Sequence, residues 1–290
     1  MARREMTRKE RISGYGLGSV DTVMSVDAVE KAARELSGGG PSRADLTALV
    51  EGEPALDLSA LCAGYGRMEI LHGLDLVVGK GQSLCLIGPN GAGKSTVLHA
   101  VFGFADIMSG TVRAAGKDIT RLSPNQKLSS AGVAYILQDN SVFPDMTVEE
   151  NLLMGGFLKD RPREARQAAE RIFERYGRLA ERRRQRAGVL SGGERRLLEI
   201  SRALIMEPQV LLVDEPSIGL EPRFIDMVFE ILDDLQHREG KTIVMVEQNA
   251  KKGLEFADIG YVLVSGQLAK AGKGADLLGD EEVARLFLGG

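Results

Sequence analysis

GPNGAGKS, residues 88–95, fits the pattern G-x-x-x-x-G-K-[ST]. It stands between an apolar run, SLCLI at 83–87, and an apolar helical pattern from Lys94 to Phe102. That strand–loop–helix setting is the context the pattern requires. Gly88, Gly91 and Gly93 let the backbone curl so that successive N–H groups point inward at phosphate oxygens, and the following helix adds its positive end. Lys94 would reach the β- and γ-phosphates of a nucleotide, and the Ser95 hydroxyl would ligate Mg2+. Asn90 and Thr96 complete the nucleotide-binding set. The stretch therefore predicts a P-loop nucleoside triphosphatase of α/β class.

Working outward, a metal-bound phosphate site needs a carboxylate at a neighbouring strand end. The run Val210 to Val213 followed by Asp214-Glu215 supplies it. Asp214 can hold Mg2+ through water, and Glu215 is placed to orient or deprotonate the attacking water. From residue 56 onward short strands alternate with longer helical patterns, the signature of a parallel sheet covered by helices. Runs 83–87 and 210–214 are continuously apolar, as expected of central buried strands. LDLSALC (56–62) and LDLVV (74–78) alternate polar and apolar, like half-exposed antiparallel strands at an edge. Helical spacing covers 222–237 behind Pro222, and 162–180 under an Arg/Glu-rich outer face.

Composition narrows the function. The chain has 290 residues, 43% hydrophobic, with a formal charge of −4. That balance argues against a nucleic-acid binder working by phosphate neutralisation. Cys62 and Cys85 lie in apolar strand-like runs and read as reduced core residues. No apolar run approaches the ~20 residues of a membrane span. Residues 1–54 read as an extension, a flexible leader or a start placed upstream of Met24. The pattern at 26–36 would make one short helix that GGGPS (38–42) breaks. On this reading the extension carries no motif and little apolar surface.

LSGGE, Leu190 to Glu194, is the discriminating stretch. S-x-x-E ahead of the apolar pattern 197–205 is a capping box. It opens a helix whose first turn, stripped to Gly192 and Gly193, is a second anion site. Ser191 precedes Asp214 by 23 residues (214 − 191) and follows the phosphate loop. This order resembles the ATP-binding cassette (ABC) transporter family, over about residues 55–290. The resemblance implies the fold: a nucleotide-binding domain with an antiparallel β subdomain and a helical subdomain at about 139–195. It also implies roles. Gln138, in YILQD, resembles the glutamine that touches Mg2+ and the attacking water. Tyr65, in AGYG, resembles the aromatic that stacks on adenine. Ser217 to Glu221 resembles the loop that usually ends in aspartate. In VMVEQNA (244–250), Gln248 takes the place where most members carry a histidine that contacts the γ-phosphate.

Within the family, GYGRMEILHGL, SVFPDMTVEENLLMG, VEQNA and VARLFLGG resemble the shorter ATPase subunits of branched-chain amino acid importers. ERR at 194–196 is similar to lipopolysaccharide-export ATPases, which leaves the solute open, as do urea and amide importers; a soluble ABC ATPase outside transport is the remaining alternative. The resemblance implies ATP and Mg2+ as ligands, with catalysis by Glu215, Gln138 and Gln248. It implies a head-to-tail partner ATPase, identical or homologous, whose Ser191, Gly192 and Gly193 complete each ATP site. Further implied partners are membrane permease subunits and, indirectly, an extracytoplasmic solute-binding protein. Nucleic acid is not among them. The implied place is the cytoplasmic face of the cell membrane.

Overall fold

A computed structural model describes residues 40–138 and 141–288. Helix α1 (Arg43–Ala48) precedes β1 (Pro54–Tyr65) and β2 (Met68–Gly79). β3 (Ser83–Ile87) then runs through the phosphate loop into α2 (Lys94–Phe102). Next come β4 (Asp106–Ala114), β5 (Lys117–Asp118), α3 (Pro124–Ser129) and β6 (Val133–Ile136). A helical segment follows: α4 (Val148–Gly155), α5 (Pro162–Arg175), α6 (Gly177–Glu181) and α7 (Gly192–Leu204). After it come β7 (Val210–Asp214), α8 (Pro222–His237), β8 (Thr242–Val246), α9 (Ala250–Phe256), β9 (Ile259–Val264) and β10 (Gln267–Lys273). The described chain closes with α10 (Gly274–Leu278), α11 (Glu281–Val283) and a π-helical turn at Ala284–Leu288.

Two sheets result. One is antiparallel, in the order β2-β1-β4-β5, and the other runs β10-β9-β3-β8-β7-β6. In the second, β3, β6, β7, β8 and β9 are parallel and β10 adds an antiparallel edge. The continuous apolar runs follow from burial on both faces. Cys85, Ile87, Leu211, Val213, Ile243 and Met245 point into a core shared with the helices. Their alternates, Leu84, Leu86, Val210, Leu212, Val244 and Val246, point into a second core under the antiparallel sheet. The strand period of two therefore persists where hydropathy alone shows none. Both cysteines are free, with Cys85 in the core and Cys62 half-buried. No helix among the described residues is long and apolar enough to cross a membrane.

Three expectations change. β1 is not an edge strand: it pairs with β2 on one side and β4 on the other, so the alternation marks one buried face rather than an edge. The pattern at 162–180 is two helices, because Tyr176 (φ −116°, ψ 83°) leaves helical geometry between α5 and α6. The described part of the N-terminal extension is not a loose leader. Ser42 and Asp45 form a capping box for α1, and Leu46 is wholly buried in the core under the antiparallel sheet. Arg43 donates to both Asp57 carboxylate oxygens (2.7 and 2.8 Å), to Asp75 and to the Leu58 carbonyl. Burying one leucine stabilises by roughly 1.5–3 kcal/mol, so this short strap belongs to the packed domain. The helix expected at 26–36 lies outside the described residues. The subdomain limit expected near 195 falls inside α7.

Candidate functional site

The phosphate loop starts where β3 ends. Gly88 has φ +147°, and a Cβ there would come within 2.1 Å of the Leu263 carbonyl oxygen, so β9 leaves room only for glycine. Gly93 (φ +96°) caps α2 from the left-handed region with no side-chain cap. The first N–H groups of α2 are left for an outside acceptor. Lys94 Nζ donates to the carbonyls of Gly88 (2.9 Å) and Pro89 (3.0 Å), folding the side chain back along its own loop. Burial pulls the Lys94 ammonium below the usual lysine range, opposed by Glu215 and Asp214. Asn90, Gly91, Gly93 to Thr96 and Glu215 line a cavity of about 230 Å³. That is smaller than the ~300–1,000 Å³ of a site that engulfs a ligand, and none of Ser191 to Gly193 lines it.

Parallel pairing brings the acids to this loop. Asp214 ends β7 in register with Val246, and its Oδ1 accepts from Ser95 Oγ at 3.0 Å. Oδ2 accepts from the Tyr135 hydroxyl at 2.7 Å, across from β6. Burial, then the Asp214 charge, pushes the Tyr135 phenol well above its usual range, so it stays a donor. Glu215 sits in the left-handed region (φ +42°), a strained conformation for a non-glycine residue of the kind that collects at functional sites. Gln138 Nε2 donates to Glu215 Oε2 at 2.8 Å. The hard oxygen donors Ser95 and Asp214 side by side suit Mg2+, which is usually held by one or two protein oxygens plus phosphates. Among the described residues no group of three or more His, Cys, Asp or Glu could hold a metal by itself.

Gln248 lies two residues past Val246, exposed, in the turn between β8 and α9. Its neighbour Glu247 is buried. The Glu247 carboxylate accepts from Ser217 Oγ (2.7 Å) and N (3.3 Å) and from Asn249 N (2.9 Å), tying the loop after Glu215 to the turn of Gln248. Tyr65 is 41% exposed, and its hydroxyl bonds to Nδ1 of His99 on α2 at 2.5 Å. His99 in turn lies 5.7 Å from the Tyr135 ring. Tyr135 and Glu247 lie inside the quoted stretches YILQD and VMVEQNA and His99 lies in α2, but the sequence assigned none of the three a role. Each acts over a long sequence separation.

The second anion site is the start of α7. Ser191 Oγ accepts from Glu194 N (3.4 Å), while the Glu194 carboxylate accepts from Ser191 N and Oγ (both 3.0 Å), the expected capping box. Arg182 Nε donates to the other Glu194 oxygen at 2.5 Å. A Cβ on Gly193 would fall 2.1 Å from the Phe224 ring, so α8 packs on a bare turn. Of the sequence-predicted residues, the structure gathers Gly88 to Thr96, Gln138, Asp214 and Glu215 around one loop. Ser191 to Gly193 sit on another element.

Comparison with known proteins agrees. A family profile described as "ABC transporter" matches residues 71–218. The chain is 42% identical over 226 residues to the high-affinity branched-chain amino acid transport ATP-binding protein BraG of Pseudomonas aeruginosa, covering 78% of this chain and 96% of that protein. It is 37% identical over 229 residues to the probable branched-chain amino acid transport ATP-binding protein LivF of Archaeoglobus fulgidus (79% and 96%). The crystal structure of the ADP conformation of an ATP-binding cassette of an ABC transporter superimposes with TM-score 0.72 at 29% identity (82% and 100%).

Proposed function

The chain belongs to the ABC transporter family as a nucleotide-binding ATPase subunit, and from that premise we propose that it powers import of branched-chain amino acids. It does so on the cytoplasmic face of the membrane, bound to separate permease subunits. The packed domain, with the strap at Arg43–Ala48 included and its helical part running through the end of α7, is the motor unit.

The observation that carries the mechanism is the division of two anion sites between two elements of one chain. The phosphate loop is furnished on one side only, and the capped start of α7 is furnished for no ligand of its own. A second ATPase subunit, identical or homologous, placed head to tail supplies Ser191, Gly192 and Gly193 to each loop. Tyr65 then stacks on adenine, and the loop from Gly88 to Thr96 holds the phosphates. Ser95 and Asp214, with Gln138, would hold Mg2+, which supplies charge neutralisation at the phosphates when bound. Glu215 accepts the proton of the attacking water, Gln138 orients it, and Gln248 donates an amide N–H to the γ-phosphate. Exposed apolar side chains near the helical segment, Phe143, Met154 and Phe157, border a cavity of about 430 Å³. This is the surface for the permease. The extracytoplasmic solute-binding protein is met only through that permease.

The test is purification in detergent with the attached membrane proteins, followed by reconstitution into vesicles. ATP-dependent leucine accumulation supports the reading. A complex that hydrolyses ATP but moves no branched-chain amino acid, or one whose permease belongs to a lipid exporter, removes the substrate assignment.

A further inference from the structure

α7 carries a buried ion pair from the second anion site toward the first. Arg196 and Glu199, one turn apart, are 4% and 6% exposed, with Nη1 and Oε2 2.9 Å apart. Neither is used up by the other. Arg196 Nη1 also donates to the Leu137 carbonyl at 2.7 Å and reaches that of Gln138 at 3.4 Å, while Nη2 reaches the Asp214 carbonyl at 3.5 Å. Glu199 Oε1 accepts from Ser141 N at 3.3 Å. The pair thus grips the segment around Gln138 on both sides and touches the last residue of β7.

Stability alone is a poor reason for such a pair. Burying two charges costs desolvation that their attraction only partly returns, and an apolar pair of similar volume is often as stable. Arg196 Nε is moreover buried without a hydrogen-bond partner among the described residues, so the side chain is not placed to satisfy all its donors. What it does satisfy are carbonyls on the two segments that carry Gln138 and Asp214.

We propose that Arg196 is a positioning residue for hydrolysis. It fixes the start of α7 to the segment bearing Gln138, with Glu199 holding its guanidinium. The proposal rests on the reading above, in which Gln138 and Glu215 act on the attacking water.

The experiment uses the assembled complex with its partner subunits. It compares Arg196→Met, Arg196→Lys, the exchanged pair Arg196→Glu/Glu199→Arg, Gln138→Ala, and Arg196→Met combined with Gln138→Ala. Turnover, ATP dissociation constant and thermal unfolding are measured for each. Arg196→Met leaves Glu199 buried without its partner and should unfold at a lower temperature, but while folded it should bind ATP normally and turn over about tenfold or more slowly, the scale of one lost charge-assisted bond. The exchanged pair should not rescue turnover, because the cation no longer faces the carbonyls. The double variant should be no slower than Gln138→Ala, since both act through one group. If Arg196→Met does not fold, Arg196→Lys decides: intermediate turnover supports the role, and wild-type turnover overturns it. Rescue by the exchanged pair overturns it too. Full turnover in Arg196→Met beside a slow Gln138→Ala overturns this proposal alone. Full turnover in Gln138→Ala overturns the reading beneath it.

Discussion

α2 and α7 both open where an anion could bind, but Gly93 leaves the first turn of α2 without a side-chain cap, whereas Ser191 and Glu194 close α7 with reciprocal hydrogen bonds. Around α2 stand Lys94, Ser95, Asp214, Glu215 and Gln138, linked through Ser95–Asp214 and Gln138–Glu215. Around α7 stand its own cap, Arg182 and the Phe224 ring. The first helix is built to meet a ligand within the monomer. The second is capped without one, and on the proposed reading a ligand there comes with the partner surface that holds it. Loss at the first should therefore appear in an isolated subunit, and loss at the second only in the assembly.

The largest effect should come from Glu215→Gln. The amide cannot accept the water's proton, and removing a general base costs roughly 10²–10⁴ in rate. ATP affinity should be retained, and with its partner the variant should accumulate as an ATP-bound dimer on size exclusion. Wild-type turnover would remove Glu215 from the mechanism, and with it the idea that the α2 side holds all the chemistry.

Lys94→Ala comes next. Charge-assisted bonds of this kind contribute roughly 1.5–3 kcal/mol, so the ATP dissociation constant should rise about ten- to a hundredfold, already in the separate subunit. Titration calorimetry on the monomer checks this. An unchanged constant there would break the comparison at its base.

Ser191→Ala should act in the opposite way. Losing the cap costs about 1 kcal/mol of stability, a fall of a few degrees in the unfolding temperature. Monomer ATP affinity should not change, while ATP-driven dimerisation should weaken. If monomer affinity falls as in Lys94→Ala, the start of α7 is not a half-site waiting for a partner chain.

Much of this was legible in the sequence because its signals are local. The phosphate loop and both capping-box residues of α7 lie within a few positions of one another, and the buried strands announce themselves by unbroken apolar runs. What was hidden depends on distant pairs. Tyr135 meets Asp214, 79 residues on, and Arg196 meets Leu137, 59 residues back. No periodicity encodes such pairs, since they exist only once β6 lies beside β7 and α7 covers them. The strap at Arg43–Ala48 was misread for a related reason. Its six residues hold one buried leucine, too little pattern to mark a packed helix, and Arg43 finds its carboxylates only across β1 and β2.

The smallest effect concerns the other end of α2 and asks whether that helix is fixed independently of its ligand. Lys127, on α3, is wholly buried, and its Nζ reaches the Ala100 carbonyl in the last turn of α2 at 3.4 Å. A cation at a helix C-terminus is favourable, but burial outweighs this and pulls the ammonium down to about 8. The unfolded chain, with an ordinary lysine near 10.4, holds its proton longer than the folded chain does. Between about pH 8 and 10.4 the unfolded state therefore binds more protons, and stability rises with pH through that window. The cost of the buried charge is full below the folded value and relieved above it. From pH 7 to 8.5 the gain should be on the order of 0.8 kcal/mol, set by the limiting slope of about 1.4 kcal/mol per pH unit. Lys127→Met should lack that rise in urea or thermal unfolding, while its ATP dissociation constant at pH 7 stays at the wild-type value. A parallel pH dependence in the variant would show that Lys127 keeps an ordinary proton affinity. A changed ATP affinity would show that the two ends of α2 are not independent, and that the N–H groups at Gly93 are aimed from the far end of the helix as well as by their own loop.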